Sequence, residues 1–458
     1  MGEALNHGSL HRTAKYFMDS GRAATHDAAM DLLQQFGLTI HVGAEITHSL
    51  CHQIALLTLI NVARRTFLGG IEVVGLHDGM SLTALAPMRT LTDAVHDLGG
   101  RITSCPRPNW PSAMIGAVDT TPLVDAPCWR VTWEGWRGGV VPIREGRHLA
   151  DGDAMALAPA LAAAVCAGEA FAHHAGDHPM AGRRAAGLSL WHPGADWLAA
   201  DPAERALTFL PSRLWLIGLG NLGQAFAWLL ACLPYGDRSQ IKLLLQDFDR
   251  IAPSNESTSL LSSKANVGQR KSRMVSDWLE ARGFDTMLEE RRFGNWTQRA
   301  PDEPGVALCG VDNAYARTAL ERVGFDLVIE AGLGAGPHAF RSISMHSFPA
   351  SRSAEQIWSQ QVGQSDDNLE NMPAYQALKH EGMDSCGLTQ LASRTVGVPF
   401  VGLIAGTLVI AELLRRLHGG NGLELASGSV AALEDFETAV LPARHYGSGH
   451  VPCGSTPK

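Results

Sequence analysis

Apolar residues in this chain fall into short runs and long helical blocks, separated by glycine-rich or polar turns. The clearest run is RLWLI, about 213–217, followed at once by Gly218, Gly220 and Gly223 and by an apolar helical stretch from about 221. A second run, IKLLLQ, ends on Asp247 and Asp249, and strand periodicity predicts both carboxylates on one side. A third, GVALCGV, ends at Asp312 and predicts a helix over 313–323. Between these two runs, a polar loop leads into an amphipathic helix predicted to start near Asn266, with Lys271 in its first turns. Earlier in the chain, LTIHVGAEITHSLCHQIALLTLINVARRTFLGGIEVVGL reads strand, helix, strand. Two apolar blocks near 154–172 and 398–414 alternate with small residues and carry Glu169 and Glu412, which predicts buried helices rather than membrane spans. They look like counterparts of one another. The pattern predicts an α/β protein with two Rossmann-like folds in one chain, the N-terminal one lacking a glycine fingerprint. The expected division is 1–185 and 186–458, with a long connection at about 348–397.

Composition narrows the function. The chain has 458 residues and a net charge of -9, so nothing supports general nucleic-acid binding. The eight cysteines include no C-x-x-C pair, which argues against a four-cysteine zinc site. The first residues lack a signal-peptide core, and a cytoplasmic protein with reduced thiols is expected. The cluster HHAGDH (His173, His174, His178) reads as a solvated linker before a metal site.

The glycine pattern carries the first chemistry. Gly218 permits the tight turn, Gly220 lets a phosphate approach the backbone, and Gly223 allows close helix packing. Asp247 and Asp249 stand where a ribose hydroxyl is bound, or simply solvate a strand end. Lys271 suits phosphates and a pyrophosphate leaving group, and its bland alternative is a solvated helix lysine. Asp312 suits Mg²⁺ on a triphosphate, or an N-cap for the next helix. Together these groups describe nucleotidyl transfer better than hydride transfer.

In this order, G-x-G-x-x-G, D-x-D, S-N, G-x-x-K and D-N-x-x-x-R resemble the ThiF/MoeB/ubiquitin-activating (E1-like) superfamily over roughly 205–420. The residues are Gly218-Gly220-Gly223, Asp247-Asp249, Ser254-Asn255, Gly268-Lys271 and Asp312-Asn313-Arg317. The resemblance implies ThiF-type adenylation folds, an ATP site that includes Arg317, Asp249 on ribose, Asn255 and Lys271 on phosphates, and Mg²⁺ on Asp312. One position departs. The family usually has arginine three residues after the asparagine, and here Thr258 stands there. A replacement cation would come from Lys264, Arg270 or the other half of the chain.

Ubiquitin-type activating enzymes also use a cysteine. Cys386, in GMDSCGLTQLAS, follows the long connection and precedes an apolar helix, an arrangement similar to that of the autophagy-type enzymes. Cys309 inside a strand, Cys232 inside a helix and Cys453 in a loose tail are poorer candidates. Two fused halves would mimic the dimer of single-domain relatives, so a monomeric pseudo-dimer or a homodimer is expected. Fewer than 40 residues follow position 420, too few for a ubiquitin-fold recruiting domain. This architecture resembles the activating enzymes of bacterial ubiquitin-like conjugation (Bil) antiphage operons. That resemblance implies a ubiquitin-like protein, an E2-like conjugating enzyme and a deconjugating peptidase as partners, and a role in defence. The alternatives are a sulfur-carrier adenylyltransferase without E2 transfer, an NAD(P)-dependent oxidoreductase, and a nucleotide-binding scaffold.

Overall fold

A computed structural model describes residues 8–118, 126–359, 372–441 and 449–454. Part of the connection expected at 348–397 therefore lies outside the described residues. Its strands form two large sheets. The first contains β1 (Gly37–Val42), β2 (Gly70–Val74), β3 (Gly100–Ile102), β4 (Ser112–Ile115), β5 (Cys128–Glu134), β6 (Arg137–Pro142) and β7 (Ala186–Ser189). After a short strand, β8 (Phe209–Pro211), the second contains β9 (Arg213–Ile217), β10 (Lys242–Gln246), β11 (Asp285–Glu289), β12 (Val306–Cys309), β13 (Leu327–Leu333), β14 (Ser342–Phe348), β15 (Gly422–Ser429) and β16 (Ala432–Leu441). A last strand, β17 (His450–Pro452), pairs with β8.

The two sheets repeat one topology. The first runs β3-β2-β1-β4-β5-β6-β7, and the second runs β11-β10-β9-β12-β13-β14-β15-β16. In each, five parallel strands come first and antiparallel strands complete the sheet. The chain is thus two Rossmann-like α/β folds in tandem. β7 lies beyond the division expected at 185, yet it pairs with β6 in the first sheet.

Central strands such as RLWLI and VALC are apolar on both faces because helices cover both sides of a parallel sheet. Nine helices matter here: α1 (Ala14–Asp19), α2 (Leu50–Ala63), α3 (Leu157–Ala175), α4 (Asn221–Cys232), α5 (Lys271–Glu280), α6 (Ala314–Arg317), α7 (Pro373–His380), α8 (Ser385–Ala392) and α9 (Pro399–Leu417). The apolar blocks predicted near 154–172 and 398–414 are α3 and α9, and they pack on each other in the core. Their small residues permit the approach: a Cβ on Gly168 would lie 3.4 Å from the Phe400 ring. Their acids are paired, Glu169 with Arg184 and Glu412 with Arg415 and Arg416. No helix among the described residues is long and apolar enough to cross a membrane.

The histidine cluster departs from the linker reading. His173 and His174 form the last turn of α3, and His174 stacks on Phe36 at 4.6 Å with Nε2 2.8 Å from the Gly37 carbonyl. Burial pushes its pKa down to about 4.

The crevices at the ends of the central strands differ between the halves. In the first half, Glu45 lies between the ends of β1 and β4. Both its oxygens are 3.2 Å from the Ala117 amide, and one would meet a Cβ on Gly43 at 2.4 Å and one on Gly116 at 2.7 Å. The corresponding crevice of the second half, between β9 and β12, holds the glycine turn.

Candidate functional site

The site forms where strand order reverses, beyond the carboxyl ends of β9 and β12, the place where open α/β sheets bind ligands. Gly218 has φ +80°, and its amide bonds the Gln246 carbonyl at 2.9 Å. A Cβ on Gly223 would meet the Gly218 carbonyl oxygen at 2.0 Å, so α4 packs on the turn through bare backbone. Gly220 differs. It caps α4, and a Cβ there meets nothing within 4 Å. The helix start opens onto free space at that point, with its amides facing outward.

Asp247 does not share a face with Asp249. β10 ends at Gln246, so strand periodicity stops before the pair. The Asp247 side chain is buried, and its two oxygens accept from the Leu219 and Asp249 amides, each at 2.7 Å. It braces the turn through both oxygens. Burial raises its pKa, opposed by Lys271 and the two amides. Asp249, half-exposed, holds Lys271 Nζ at 2.9 Å. Lys271 is the first residue of α5. The predicted start near Asn266 came too early because Gly268 has φ +86° and backbone bonds between Ile251 and the 268–269 amide and carbonyl keep that stretch a loop.

Asn255 lies in a short helical turn, Pro253–Ser257, and its Oδ1 accepts from the Ala252 amide at 2.8 Å. Asp312, just past β12, is exposed and has no hydrogen-bond partner among the described residues. It does not cap the next helix. Asn313 does, its Oδ1 accepting from Tyr315 at 2.9 Å. Arg317 is not turned toward the crevice either. Its buried guanidinium donates to the carbonyls of Val311 and Ala331, pairs with Glu330 at 3.4 Å and lies 4.3 Å over Trp358. It fixes the Asp312 loop from behind.

The missing arginine has a counterpart that no local pattern revealed. Arg12, from the N-terminal half, packs beside Thr258: a Cβ on Gly397 would lie 2.4 Å from the Thr258 methyl and 3.2 Å from Arg12 Cβ. The Arg12 amide donates to Ser257 Oγ at 3.0 Å, and its guanidinium donates to the Thr395 carbonyl. Burial and the like charge of Arg394 push its pKa down to about 10, against the pull of Asp312. Lys264 and Arg270 do not fill this place. Arg270 donates to the Phe248 carbonyl, and Lys264 begins a separate short turn. The residues fit a magnesium nucleotide: an exposed carboxylate, an open glycine, clustered cations, and two buried polar atoms, Arg12 Nε and Asn221 Oδ1, without partners among the described residues.

Cys386 is exposed, the second residue of α8, whose N-cap is Asp384. Gln390 Nε2 lies 3.5 Å from its sulfur. After α8 the chain runs past Arg12 at Thr395 and back to the turn, where Val398 accepts from Asn221 at 3.4 Å. Cys309 and Cys232 are buried, and burial pushes the Cys309 thiol up to about 12. Cys453 is half-buried in an isolated bridge with Tyr235.

Comparison with known proteins adds an independent line. The family described as BilD N-terminal domain matches residues 37–190, and BilD C-terminal domain matches residues 210–420. The Bacterial E1-like protein BilD of Collimonas sp. (strain OK412) is 63% identical over 450 residues, 98% of this chain and 97% of its own. The chain belongs to the BilD family. Among solved structures, E. coli MccB overlaps 51% of this chain and 62% of its own, with 13% identity and a TM-score of 0.33. PaaA overlaps 51% and 64%, with 18% identity and a TM-score of 0.33. Likeness at that level says nothing about ligands. Membership in the BilD family, with its N- and C-terminal domain models, agrees with the two tandem folds.

Proposed function

We propose that this protein is an ATP-dependent activating enzyme for a ubiquitin-like protein. In the first step a C-terminal glycine carboxylate oxygen attacks the α-phosphorus of ATP, the bond to the β-phosphate oxygen breaks, and pyrophosphate leaves. The amides at 218–223, Lys271, Asn255 and Arg12 bind the phosphates and stabilise charge as it builds on them. Asp249 takes the ribose once the nucleotide draws Lys271 away. Asp312 would hold Mg²⁺, which would supply positive charge to the phosphates. In the second step the Cys386 thiolate attacks the acyl carbon, a thioester forms, and AMP leaves with the electron pair. The acyl group then passes to the cysteine of an E2-like conjugating enzyme. This chemistry belongs to the cytoplasm, where thiols stay reduced, and to a conjugation system that opposes phage. A monomer supplies both halves.

The observation that supports this reading best is the convergence on one crevice of an open glycine turn, the Asp249–Lys271 pair, the free Asp312 and the charge of Arg12. A carboxylate placed for a metal and cations placed for a leaving pyrophosphate are not needed for hydride transfer. The test incubates the full chain with Mg·ATP and a glycine-ended ubiquitin-like protein, read on a non-reducing gel beside ATP–pyrophosphate exchange. A reductant-sensitive adduct, lost in Cys386→Ala while exchange persists, is expected. Exchange without an adduct would reduce the activity to adenylation, and absence of both would sink the proposal.

A further inference from the structure

The loop that carries Asn255 is held from two sides. From its own half comes Gln224 of α4, whose Oε1 accepts from the Leu261 amide at 2.9 Å and whose Nε2 donates to the Leu219 carbonyl at 3.1 Å. That side chain ties the glycine turn to the loop. From the other half comes Arg65, just past the end of α2. Its guanidinium donates to the carbonyls of Glu256 at 2.5 Å, Leu260 at 2.5 Å and Ser262 at 3.0 Å. Asn61, one turn earlier, also donates to the Leu260 carbonyl, at 3.1 Å, and accepts from Arg65.

This arrangement is unusual in its charge. Arg65 is 3% exposed, and no carboxylate pairs with it among the described residues. A buried cation satisfied by carbonyls alone is expensive for stability, and a neutral amide can hold a single one of these carbonyls without that cost, as Asn61 holds Leu260. Two things are gained by a guanidinium. Its rigid fork fixes three carbonyls of one loop at once, which a neutral side chain cannot do. Its positive charge also attracts the Glu256 carboxylate of the same loop.

We infer that Arg65 is a positioning residue for nucleotide chemistry in the opposite half: it sets the path of 256–262 and, through it, the place of Asn255. This inference rests on the nucleotide reading of the crevice and adds that the N-terminal half takes part in it through more than Arg12. Arg65 touches no substrate. It acts through the loop.

The test uses the full chain with Arg65→Met, Arg65→Lys and a control, Thr58→Val, which removes an interface bond from Trp228 Nε1 to the same helix without touching the loop. Hydrogen exchange of amides 254–262 is measured without nucleotide, and KM for ATP and kcat are measured in pyrophosphate exchange. Arg65→Met is expected to loosen those amides and raise KM for ATP by roughly ten- to a hundredfold, because small displacements of a binding loop are costly. Arg65→Lys should recover part of that loss while the control leaves KM unchanged. Equal KM shifts in Thr58→Val and Arg65→Met would reduce Arg65 to general interface stability and overturn the inference. So would loosened amides with an unchanged KM. If the unaltered chain neither binds ATP nor exchanges pyrophosphate, the nucleotide reading itself fails, and the exchange data show whether Arg65 still orders the loop as a purely structural brace.

Discussion

Two glycines three residues apart should fail in different ways. A methyl group on Gly223 would sit 2.0 Å from the Gly218 carbonyl oxygen, well over an ångström inside ordinary contact, and 2.9 Å from its carbon. Both atoms are backbone, so no rotamer relieves the clash and the turn must move off the helix. Overpacking of this kind costs about 1–3 kcal/mol, and a turn displaced by about 1 Å forfeits roughly a hundredfold in function. Gly223→Ala should therefore lower both the melting temperature and the affinity for ATP. A methyl on Gly220 meets nothing within 4 Å in the free protein. It projects into the space assigned to phosphate. Gly220→Ala should keep a melting temperature within a few degrees of the original yet bind Mg·ATP about 10–100 times more weakly, a loss of about 1.4–2.8 kcal/mol. Thermal denaturation without ligand and titration calorimetry with Mg·ATP separate the two cases. Unchanged ATP affinity in Gly220→Ala would refute the placement of phosphate at the turn.

Other outcomes follow from the same geometry. Arg12→Ala should slow pyrophosphate exchange by roughly 10²–10³ if its charge serves the transition state, and Lys264→Ala should not; comparable rates in the two variants would remove Arg12 from the site. Of the two exposed cysteines, Cys105 and Cys386, only the second should be needed for the reductant-sensitive adduct, as a gel of Cys105→Ala beside Cys386→Ala would show. His174 is held neutral by burial in the folded chain, with its pKa lowered to about 4 from 6.5. The unfolded chain then takes up the proton first as pH falls. Stability should decline from about pH 6.5 toward 4, by about 1.4 kcal/mol per pH unit for each such histidine, and His174→Gln should flatten that slope in melts run across the range.

Much of the second half was legible in the sequence because its signals are local. An apolar strand, a glycine turn and a helix occupy a dozen residues, and each element's type follows from its neighbours. The repeat of the fold was legible for the same reason: α3 and α9 share a composition set by the same buried position. What local pattern could not supply was side-chain direction past a strand end. Asp247 and Asp249 looked equivalent, yet one faces inward to two amides and the other outward to Lys271. Arg317 belongs to the ATP site only through the family resemblance, and its partners Glu330 and Trp358, 13 and 41 residues further on, turn it inward. Arg12 and Arg65 carried no signal, since each reaches its loop across roughly two hundred residues or more.

The filled crevice of the first half sets a count. Glu45 places an anion of the chain's own where the second half leaves room, so the tandem should saturate at one nucleotide per polypeptide. A symmetric pair of identical subunits must keep every residue fit for two jobs, holding its own nucleotide and bracing its partner's. Joining the copies ends that compromise. The first half has Glu45 in its crevice, while the second keeps an open glycine turn. On the proposed chemistry, a single acylation event per chain is expected.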